Sequence, residues 1–288
     1  MTLIAVGDLI DRSWEHYRRE FTDLISVSGW ILLVALVNVI ALAIYPSASK
    51  IIGVATLTTA ESFGVGLYAF ANWVLAPIVG LWVFIVLVRL VRGQLSGRPG
   101  GVREAMMDGT RYFFPTLLVS LLIFLIMAGV LAIGFGPSIL LSLAASAASS
   151  NALSVLASVS LIVGTMIAIV LGFRWSVRYY FAPYALLIDD VRGTPALPAS
   201  RSLAEGQFWN VLIRLVVPKL VFILLGILAM AVVAFVFSLA TGVLAGLNLD
   251  VQLRLSTIST SVLSTVAAAL LNPLIVTADV LLYQSLKR

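Results

Sequence analysis

The chain has 288 residues, of which 61% are hydrophobic and 11% are charged, and its mean hydropathy is +1.11. A soluble domain carries about a quarter charged residues, so this composition excludes a soluble fold and predicts that lipid covers most of the apolar surface. The absence of cysteine excludes disulfides, thiolate metal sites and cysteine nucleophiles, while the net charge of +5 has to be interpreted from its distribution.

Six apolar stretches are long enough to cross a bilayer, which requires about 20 residues for about 30 Å of hydrocarbon. The sequence therefore predicts an all-α polytopic membrane protein that forms a single transmembrane domain of residues 1–288. In chain order, the predicted spans are Leu24–Tyr45, Leu67–Val88, Thr116–Pro137, Ala152–Phe173, Leu220–Thr241 and Val262–Tyr283. Three nearly uncharged connections lie between them on one side, at Pro46–Phe63, Pro137–Ala152 and Gly242–Ile258.

The basic residues predict the orientation of these spans. Positive residues in short loops resist translocation, and 16 of the 18 Lys and Arg residues lie on the side of the two termini. Only Lys50 and Arg254 fall on the other side. We therefore expect a bacterial cytoplasmic membrane protein with both termini in the cytoplasm. The basic rim then explains the net charge without nucleic acid and favours anionic lipids as partners.

Amphipathic segments precede the first, third and fifth spans and begin at about Leu3, Val102 and Ala199. In the first segment, apolar residues spaced by three and four share one helical face: Leu3, Val6, Ile10, Trp14, Tyr17 and Phe21. Such a helix is typical of the membrane interface. One amphipathic segment followed by two spans predicts three repeats, 1–98, 99–195 and 196–288, with Gly109 matched to Gly206. The alternative is that any inner-leaflet helix carries aromatic residues near its end.

The fourth span has a row of small residues at four-residue spacing: Ser160, Gly164, Ala168, Gly172 and Ser176. Small residues let two helices approach closely in lipid, so the row predicts a helix-packing face, either within the chain or in a dimer. Pro77 predicts a kink in the second span, and Asn38 predicts an interhelical hydrogen bond in the first.

Polar residues within the spans form a candidate intramembrane site. Arg174 and Arg178 lie four apart near the end of the fourth span, where they can extend toward lipid phosphates or bind a substrate or partner. Asn272, Asp279 and Tyr283 share one face of the sixth span. We expect Asp279 to pair with Arg174 or Arg178. The pair is either structural or one gate of a solute pathway.

Catalytic patterns are missing from the sequence. No P-loop, H-E-x-x-H or G-x-S-x-G pattern occurs, and the single histidine, His16, lies on a charged helix where a solvated role is expected. Adjacent carboxylates at Asp189 and Asp190, with Glu205 nearby, are better explained by helix-end electrostatics than by a metal site. We expect neither a metal nor a cofactor and predict that the chain is not an enzyme.

Two segments carry a resemblance to a known family. The stretch Arg174–Trp209 contains an Arg-rich helix end, a proline, an acidic residue and then Arg-Ser, Gly and an aromatic; the C-terminus carries a proline and Leu-Tyr-Gln-Ser-Leu-Lys. Together they resemble the membrane domain of glycerophosphoryl diester phosphodiesterases and related bacterial multi-pass proteins. The matching positions are Arg174, Arg178, Pro183, Asp189, Arg201, Ser202, Gly206, Trp209, Pro273 and Tyr283.

The resemblance implies a six-helix bundle with interfacial helices and a cytoplasmic interfacial motif at Asp189, Arg201, Ser202, Gly206 and Trp209. The phosphodiesterase activity belongs to a separate barrel domain of at least about 200 residues, for which this chain has no room. We therefore expect a non-enzymatic, envelope-organising or partner-binding membrane protein. The alternatives are a small-solute or lipid transporter that uses Asp279 with Arg174 or Arg178, and an enzyme acting on lipid head groups.

Overall fold

The computed structural model describes residues 3–47, 50, 56–97, 101–244 and 249–287, and no strand occurs among them. The helices of this described part are, in chain order, α1 (Val6–Arg19), α2 (Phe21–Ser28), α3 (Leu32–Ala43), α4 (Thr59–Phe70), α5 (Ala76–Leu95), α6 (Val102–Arg111), α7 (Phe113–Ala148), α8 (Asn151–Tyr179), α9 (Ala182–Asp189), α10 (Ala196–Ala204), α11 (Phe208–Leu244) and α12 (Leu249–Lys287). A 3-10 turn at Gly29–Ile31 joins α2 to α3, and a π-helical turn at Ala71–Leu75 joins α4 to α5. The predicted all-α fold class is confirmed.

Six helical segments are long and apolar enough to cross a membrane, as predicted: Phe21–Ala43, Thr59–Leu95, Phe113–Ala148, Asn151–Asp189, Phe208–Leu239 and Val251–Lys287. Two of the predicted connections are wrong as loops. The helix α7 continues through Pro137 to Ala148, and α12 already begins at Leu249. Hydropathy detects the length that lipid covers, whereas a helix continues as long as its backbone hydrogen bonds are maintained.

Polar and small residues join the first two spans. Asn72, in the π-helical turn, donates from Nδ2 to Oδ1 of Asn38 at 3.0 Å, which confirms the predicted interhelical hydrogen bond. Pro77 follows that turn at the start of α5, and its missing backbone donor accounts for the local change of winding. A Cβ added at Gly64 would lie 2.9 Å from the carbonyl oxygen of Ile44, so these helices approach through a glycine.

The two basic residues that the charge count separates from the others both have partners. Lys50 Nζ lies 2.7 Å from Oε1 of Glu61. Arg254 donates from Nη1 to the carbonyl oxygen of Ala43 at 2.9 Å, at the C-terminal end of α3, where the helix dipole favours a cation. Both contacts lie within the first of the two compact units defined below.

Three short helices precede pairs of spans, as the repeat predicts. They have 14, 10 and 9 residues. Each carries buried residues four apart: Leu9, Ser13 and Tyr17 in α1, Ala105 and Gly109 in α6, and Ala196, Ser200 and Ala204 in α10. The predicted apolar face of α1 is only partly buried, because Trp14 and Phe21 are 47% and 44% exposed on the surface of the chain.

The buried positions coincide when they are counted from the phenylalanine that begins each following helix, Phe21, Phe113 or Phe208. Eight residues earlier lie Ser13, Ala105 and Ser200, and three residues later lie Leu24, Thr116 and Val211, all buried. This common register is what a threefold repeat of sequence and structure predicts. The duplication itself stays a prediction.

The same register changes the equivalence of the glycines. It matches Gly109 to Ala204 and not to Gly206. Gly109 lies inside α6, where an added Cβ would contact Trp82 Nε1 at 2.8 Å, whereas Gly206 follows α10 with a φ of +78° and open space around it. The predicted match of Gly109 to Gly206 is therefore wrong, because a shared residue type there reflects two different local needs.

The chain divides into two compact units: Met1–Phe113 with Arg214–Leu286, and Phe114–Ile213 with Lys287. The boundaries fall at the start of α7 and six residues into α11, away from the predicted repeat boundaries. Each unit has fully buried residues near the C-terminal end of a span that closes a predicted repeat. These residues lie in α5 and α12 for the first unit and in α9 for the second.

Candidate functional site

The fifth and sixth spans, α11 and α12, pack closely within the first unit. A Cβ added at Gly226 would lie 2.5 Å from Cδ1 of Leu271, so the two helices approach through a glycine. Both helices contain an internal proline, Pro218 and Pro273. Each proline leaves the carbonyl four residues earlier without its usual backbone donor. The contact between these helices is therefore where polar groups of the backbone and side chains come together.

An ion pair links the two helices. Lys219 Nζ lies 3.1 Å from Oδ1 of Asp279, and their side chains are 20% and 3% exposed. A carboxylate this deeply buried needs a partner, because an unpaired charge inside a membrane helix is costly. The predicted partner of Asp279 is therefore wrong: it is Lys219, and not Arg174 or Arg178.

The error has a physical origin. Hydropathy places the fifth span from Leu220, so that Lys219 counts as a residue of the preceding connection. In the structure α11 begins at Phe208, which puts Lys219 about three turns inside the helix. Sequence spacing shows how deep a residue lies along its own helix, but it does not show which side chain faces it from the next helix.

The predicted polar face of α12 is only partly enclosed. Asp279 and Tyr283 are buried, and Asn272 is half-buried. A polar group that sequence reasoning did not select lies beside them: Thr277 is fully buried and donates from Oγ1 to the carbonyl oxygen of Pro273 at 2.7 Å. A threonine four residues after a helical proline is the signal that could have identified it.

The fourth and sixth spans, each of which is the second span of a predicted repeat, carry an acidic residue at the same distance from a proline. Asp189 follows Pro183 by six residues, and Asp279 follows Pro273 by six. Asp189 is also paired, since Lys287, which belongs to the same compact unit, lies with Nζ 2.6 Å from its Oδ1. The spacing therefore marks an equivalent ion-pairing position in the fourth and sixth spans.

The second span has a charge at the corresponding place. Val91-Arg-Gly93 and Val191-Arg-Gly193 align without a gap, and this alignment matches Arg89 to Asp189. Arg89 Nη2 lies 2.6 Å from Oδ2 of Asp108, and its guanidinium lies 4.5 Å from the ring centre of Tyr112. The second, fourth and sixth spans thus each have a charged residue in an ion pair near the C-terminal end. This residue is basic in the second span and acidic in the other two.

Arg174 and Arg178 lie in the last two turns of α8, within the second unit. Arg174 is exposed and Arg178 is half-buried. Neither side chain has a hydrogen bond or an ion pair with another residue among residues 3–47, 50, 56–97, 101–244 and 249–287. Arg174 and Arg178 belong to the second compact unit, and Asn272, Asp279 and Tyr283 belong to the first.

The predicted interfacial motif does not converge on one point. Arg201 and Glu205 form an exposed pair at 3.9 Å, and Ser202 donates only to the carbonyl oxygen of Ala199 in its own helix. Gly206 provides the left-handed residue between α10 and α11, and Trp209 is 68% exposed. With Asp189 paired to Lys287, these positions serve separate local roles.

The residue that organises this region is Ser200, which sequence reasoning missed in favour of Ser202. Ser200 is fully buried. Its hydroxyl donates to the carbonyl oxygen of Arg178 at 2.7 Å and accepts from the backbone N–H of Phe181 at 3.1 Å. It therefore satisfies both backbone groups where α8 ends and α9 begins. The repeat register identifies this position, because Ser13 is its equivalent in α1.

The predicted helix-packing face of α8 contacts α7 within the same unit. Gly164 and Ala168 are buried, and a Cβ added at Gly134 would lie 2.7 Å from the carbonyl oxygen of Gly164. Further along the row, Gly172 faces Val130 and Ser176 faces Met127. Ser160 is half-buried at the other end of the row. The row is therefore an internal contact, which is the first of the two predicted alternatives.

An open cavity of about 820 Å³ lies between α7 and α8, next to the turn that joins them. Serines dominate its polar lining: Ser138, Ser142, Ser146, Ser149, Ser150, Ser154 and Ser158. Several of these hydroxyls donate to a carbonyl oxygen of their own helix, as Ser142 does to Ser138 at 2.8 Å and Ser158 does to Ser154 at 3.0 Å. Local backbone bonding therefore accounts for much of this polar surface.

The all-helical fold, with six helices long and apolar enough to cross a membrane, defines the chain as an all-α polytopic integral membrane protein. No protein-family model, curated protein or solved structure matches the chain.

Proposed function

We propose that the chain is a non-enzymatic protein of a bacterial cytoplasmic membrane, with both termini in the cytoplasm, that organises the envelope or binds another membrane component. The family proposed for it is the membrane domain related to glycerophosphoryl diester phosphodiesterases, without the catalytic barrel. The resemblance at Arg174–Trp209 and at the C-terminus supports that assignment.

The observation that carries the proposed function is the closed pair between Lys219 and Asp279. A transport site requires charged groups that reach a pathway for water or solute. Here the Asp279 carboxylate is enclosed and lies against the ammonium group of Lys219. The cavity between α7 and α8 is lined by other residues. This arrangement supports a structural role for the buried charges.

The surface of the spans also supports a role in binding lipid or another membrane protein. In the fifth span, only 6% of the most apolar 18-residue stretch is buried inside the chain, and in the third and fourth spans the buried share of that stretch is 17%. Short helices with exposed aromatic side chains, such as Trp14, precede the spans and are suited to a membrane interface. The basic rim supports the proposed anionic lipids as partners.

Affinity purification after mild detergent extraction tests the proposal. We expect the tagged full-length chain to retain a stoichiometric membrane partner that an unrelated six-span protein, expressed at the same level, does not retain. Mass spectrometry identifies the partner, and reciprocal tagging checks it. Purification of the chain without any partner, together with solute flux in liposomes, would contradict the proposal.

A small transporter is the second candidate, because Lys219 and Asp279 both lie on helices interrupted by a proline, a feature common near transport sites. Exchange of the charges separates the two functions. If the pair is structural, Lys219→Asp combined with Asp279→Lys restores the thermal stability that either single change lowers. If Asp279 carries a proton or binds a solute, stability returns but flux in liposomes does not.

A further inference from the structure

The two arginines near the end of α8 differ in their pairing from the charged residues near the C-terminal ends of the second and sixth spans. Arg89 pairs with Asp108 at 2.6 Å, and Asp279 pairs with Lys219 at 3.1 Å. Arg174, in the last two turns of α8, has no such partner in the described part of the chain, and the same holds for the side chain of Arg178. Among the residues that the structure describes, these two guanidinium groups on one helix thus remain open to an acceptor from the bilayer.

Two carboxylates of the second unit, those of Asp189 and Glu205, are already engaged with basic residues. Asp189 pairs with Lys287 at 2.6 Å, and Glu205 lies 3.9 Å from Arg201. A guanidinium stays charged at every accessible pH and presents five N–H donors. Its charge is costly in hydrocarbon unless an acceptor is within reach. The acceptor that a bilayer supplies at the end of a span is the headgroup phosphate, which guanidinium groups bind with two parallel hydrogen bonds.

Aromatic residues around the two arginines fit this depth. Trp175 and Tyr179 lie in edge contact on α8, with ring centres 6.4 Å apart. Phe208 contacts Phe173 at 6.1 Å, and the neighbouring Trp209 is largely exposed. Trp and Tyr concentrate at the level of the headgroups. Trp175 and Tyr179 beside Arg174 and Arg178 thus support a position of the two guanidinium groups at the level of the headgroup phosphates.

The spacing of the arginines favours a single ligand. Residues four apart lie on the same side of a helix, with Cβ atoms about 5–6 Å apart. Two long side chains at that separation can converge on one phosphate group. A zwitterionic headgroup would bring its own ammonium group to two positive charges, whereas an anionic headgroup brings a net negative charge. The local charge therefore discriminates between the two classes of phospholipid.

We propose that Arg174 and Arg178 form a binding site for the headgroup of one anionic phospholipid. The site deepens the lipid partnership proposed above, but it does not depend on a protein partner. It is distinct from the buried pair of Lys219 and Asp279 and uses the exposed face at the end of α8. The predicted substrate-or-partner role of these arginines thereby becomes a specific lipid contact.

Native mass spectrometry and thermal unfolding of the full-length chain in a neutral detergent test the site. We expect one phosphatidylglycerol molecule to remain bound and to raise the unfolding temperature more than phosphatidylcholine does at equal concentration. The effect should decrease with added salt. In the variant Arg174→Gln/Arg178→Gln, the apparent affinity for phosphatidylglycerol should be about 30-fold weaker. Each basic residue near a membrane surface contributes about 1 kcal/mol of binding free energy, and two such losses correspond to this factor.

Two control variants separate this site from general basic charge. Arg201→Gln removes an exposed arginine of the same unit and should leave phosphatidylglycerol binding unchanged. Arg174→Lys/Arg178→Lys keeps the charge without the planar donors and should bind with intermediate affinity. It also keeps the test valid if the glutamine variant does not fold.

Three results would overturn the lipid site: unchanged phosphatidylglycerol binding by the double glutamine variant, equal stabilisation by phosphatidylcholine, or equal stabilisation by millimolar inorganic phosphate. The last result would identify a site for the free ion instead. A missing protein partner in the purification experiment would leave these measurements unaffected, so the failures of the two proposals are distinguishable.

Discussion

The fifth and sixth spans contact each other, but the fifth is the more apolar of the two and the sixth is the more buried. The most apolar window of the fifth span has a mean hydropathy of 3.1 and is 6% buried inside the chain, whereas that of the sixth has a mean hydropathy of 1.8 and is 50% buried. In a soluble protein the more apolar helix would be the buried one. Here lipid covers apolar side chains, and the protein interior encloses the polar ones.

A similar contrast occurs within the fourth span. The middle of α8 has many exposed apolar side chains, such as Ile162 and Met166, while most of the residues of α9 are buried. The α9 segment begins where Ser200 of α10 bonds the end of α8. The difference shows that the helix ends with charged and hydroxyl groups form the packed parts, and four substitutions test this in order of expected effect.

The largest effect is expected for Lys219→Met, which places an uncharged side chain opposite the enclosed carboxylate of Asp279. Loss of one partner of a buried pair costs about 3 kcal/mol, so the free energy of unfolding in mixed micelles should fall by about that amount. Adding Asp279→Leu should recover most of the loss, because no buried charge then remains. As a control, Arg201→Gln breaks an exposed pair and should cost less than about 0.5 kcal/mol. A double variant as unstable as Lys219→Met would contradict the structural role.

The next effect is expected for Gly164→Val, at the crossing of α7 and α8. A Cβ at Gly164 would overlap the carbonyl oxygen of Gly134, so the helices must separate, at a cost of about 2 kcal/mol. Gly172→Ala is the matched control on the same helix, because its Cβ would lie 4.0 Å from Cγ1 of Val130. Thermal unfolding of both variants measures the difference. Equal stability of the two would show that the helices do not cross at Gly164.

A smaller effect is expected for Ser200→Ala. The change removes a hydroxyl that bonds two backbone groups at 2.7 and 3.1 Å, and leaving buried polar groups unpaired costs about 1–3 kcal/mol. Ser202→Ala, two residues away and exposed, should stay within about 0.5 kcal/mol of the wild type. Limited proteolysis near Phe181 and thermal unfolding report the loss. If Ser202→Ala were the more damaging change, the role of Ser200 would be contradicted.

The smallest effect concerns pH and the packing of α1 against α5. His16 Nε2 lies 3.0 Å from Oε1 of Gln94, and burial lowers the pKa of His16 below its ordinary value of 6.5. The unfolded chain therefore takes up this proton at a higher pH than the folded chain. It follows that the contribution to stability is complete above about pH 6.5 and decreases as the pH falls toward the lowered pKa.

The measurement is the unfolding temperature between about pH 8 and pH 5. Wild type should lose more stability over this range than His16→Gln, in which the titrating group is absent. Curves that stay parallel across the whole range would show that His16 is not buried against Gln94. The expected solvated role of His16 would then apply.

Elements that repeat along the chain could be predicted from the sequence, because lipid solvation acts on each segment separately. The six spans and the three short helices follow from local hydropathy and from the spacing of apolar residues. The packing face of α8 could also be predicted, since a row of small residues that includes Gly164 and Ala168 favours the close approach of a second helix in lipid. Asn38 was correctly selected for a hydrogen bond, although its partner Asn72 was not.

The candidate site was less predictable, because it depends on which helix ends lie side by side. Asp279 was identified as a buried charge from its position, but Lys219 was assigned to a loop because hydropathy begins the fifth span too late. Ser200 was overlooked beside Ser202 because the two differ only in the face of α10 on which they lie. An offset of two residues decides between a buried hydrogen bond from Ser200 to Arg178 and an exposed one from Ser202 to Ala199.

The amino-acid sequence by itself determined that the chain is solvated by lipid, how many segments cross the membrane and where the charged residues concentrate. These properties depend on transfer free energies that each segment carries independently of the others. Only the tertiary structure decided that Asp279 pairs with Lys219, that Ser200 joins two helices and that Arg174 and Arg178 have no partner within the described chain. Such pairings depend on the rotation and approach of helices, which glycines such as Gly226 and Gly164 set through contacts between residues distant in the sequence.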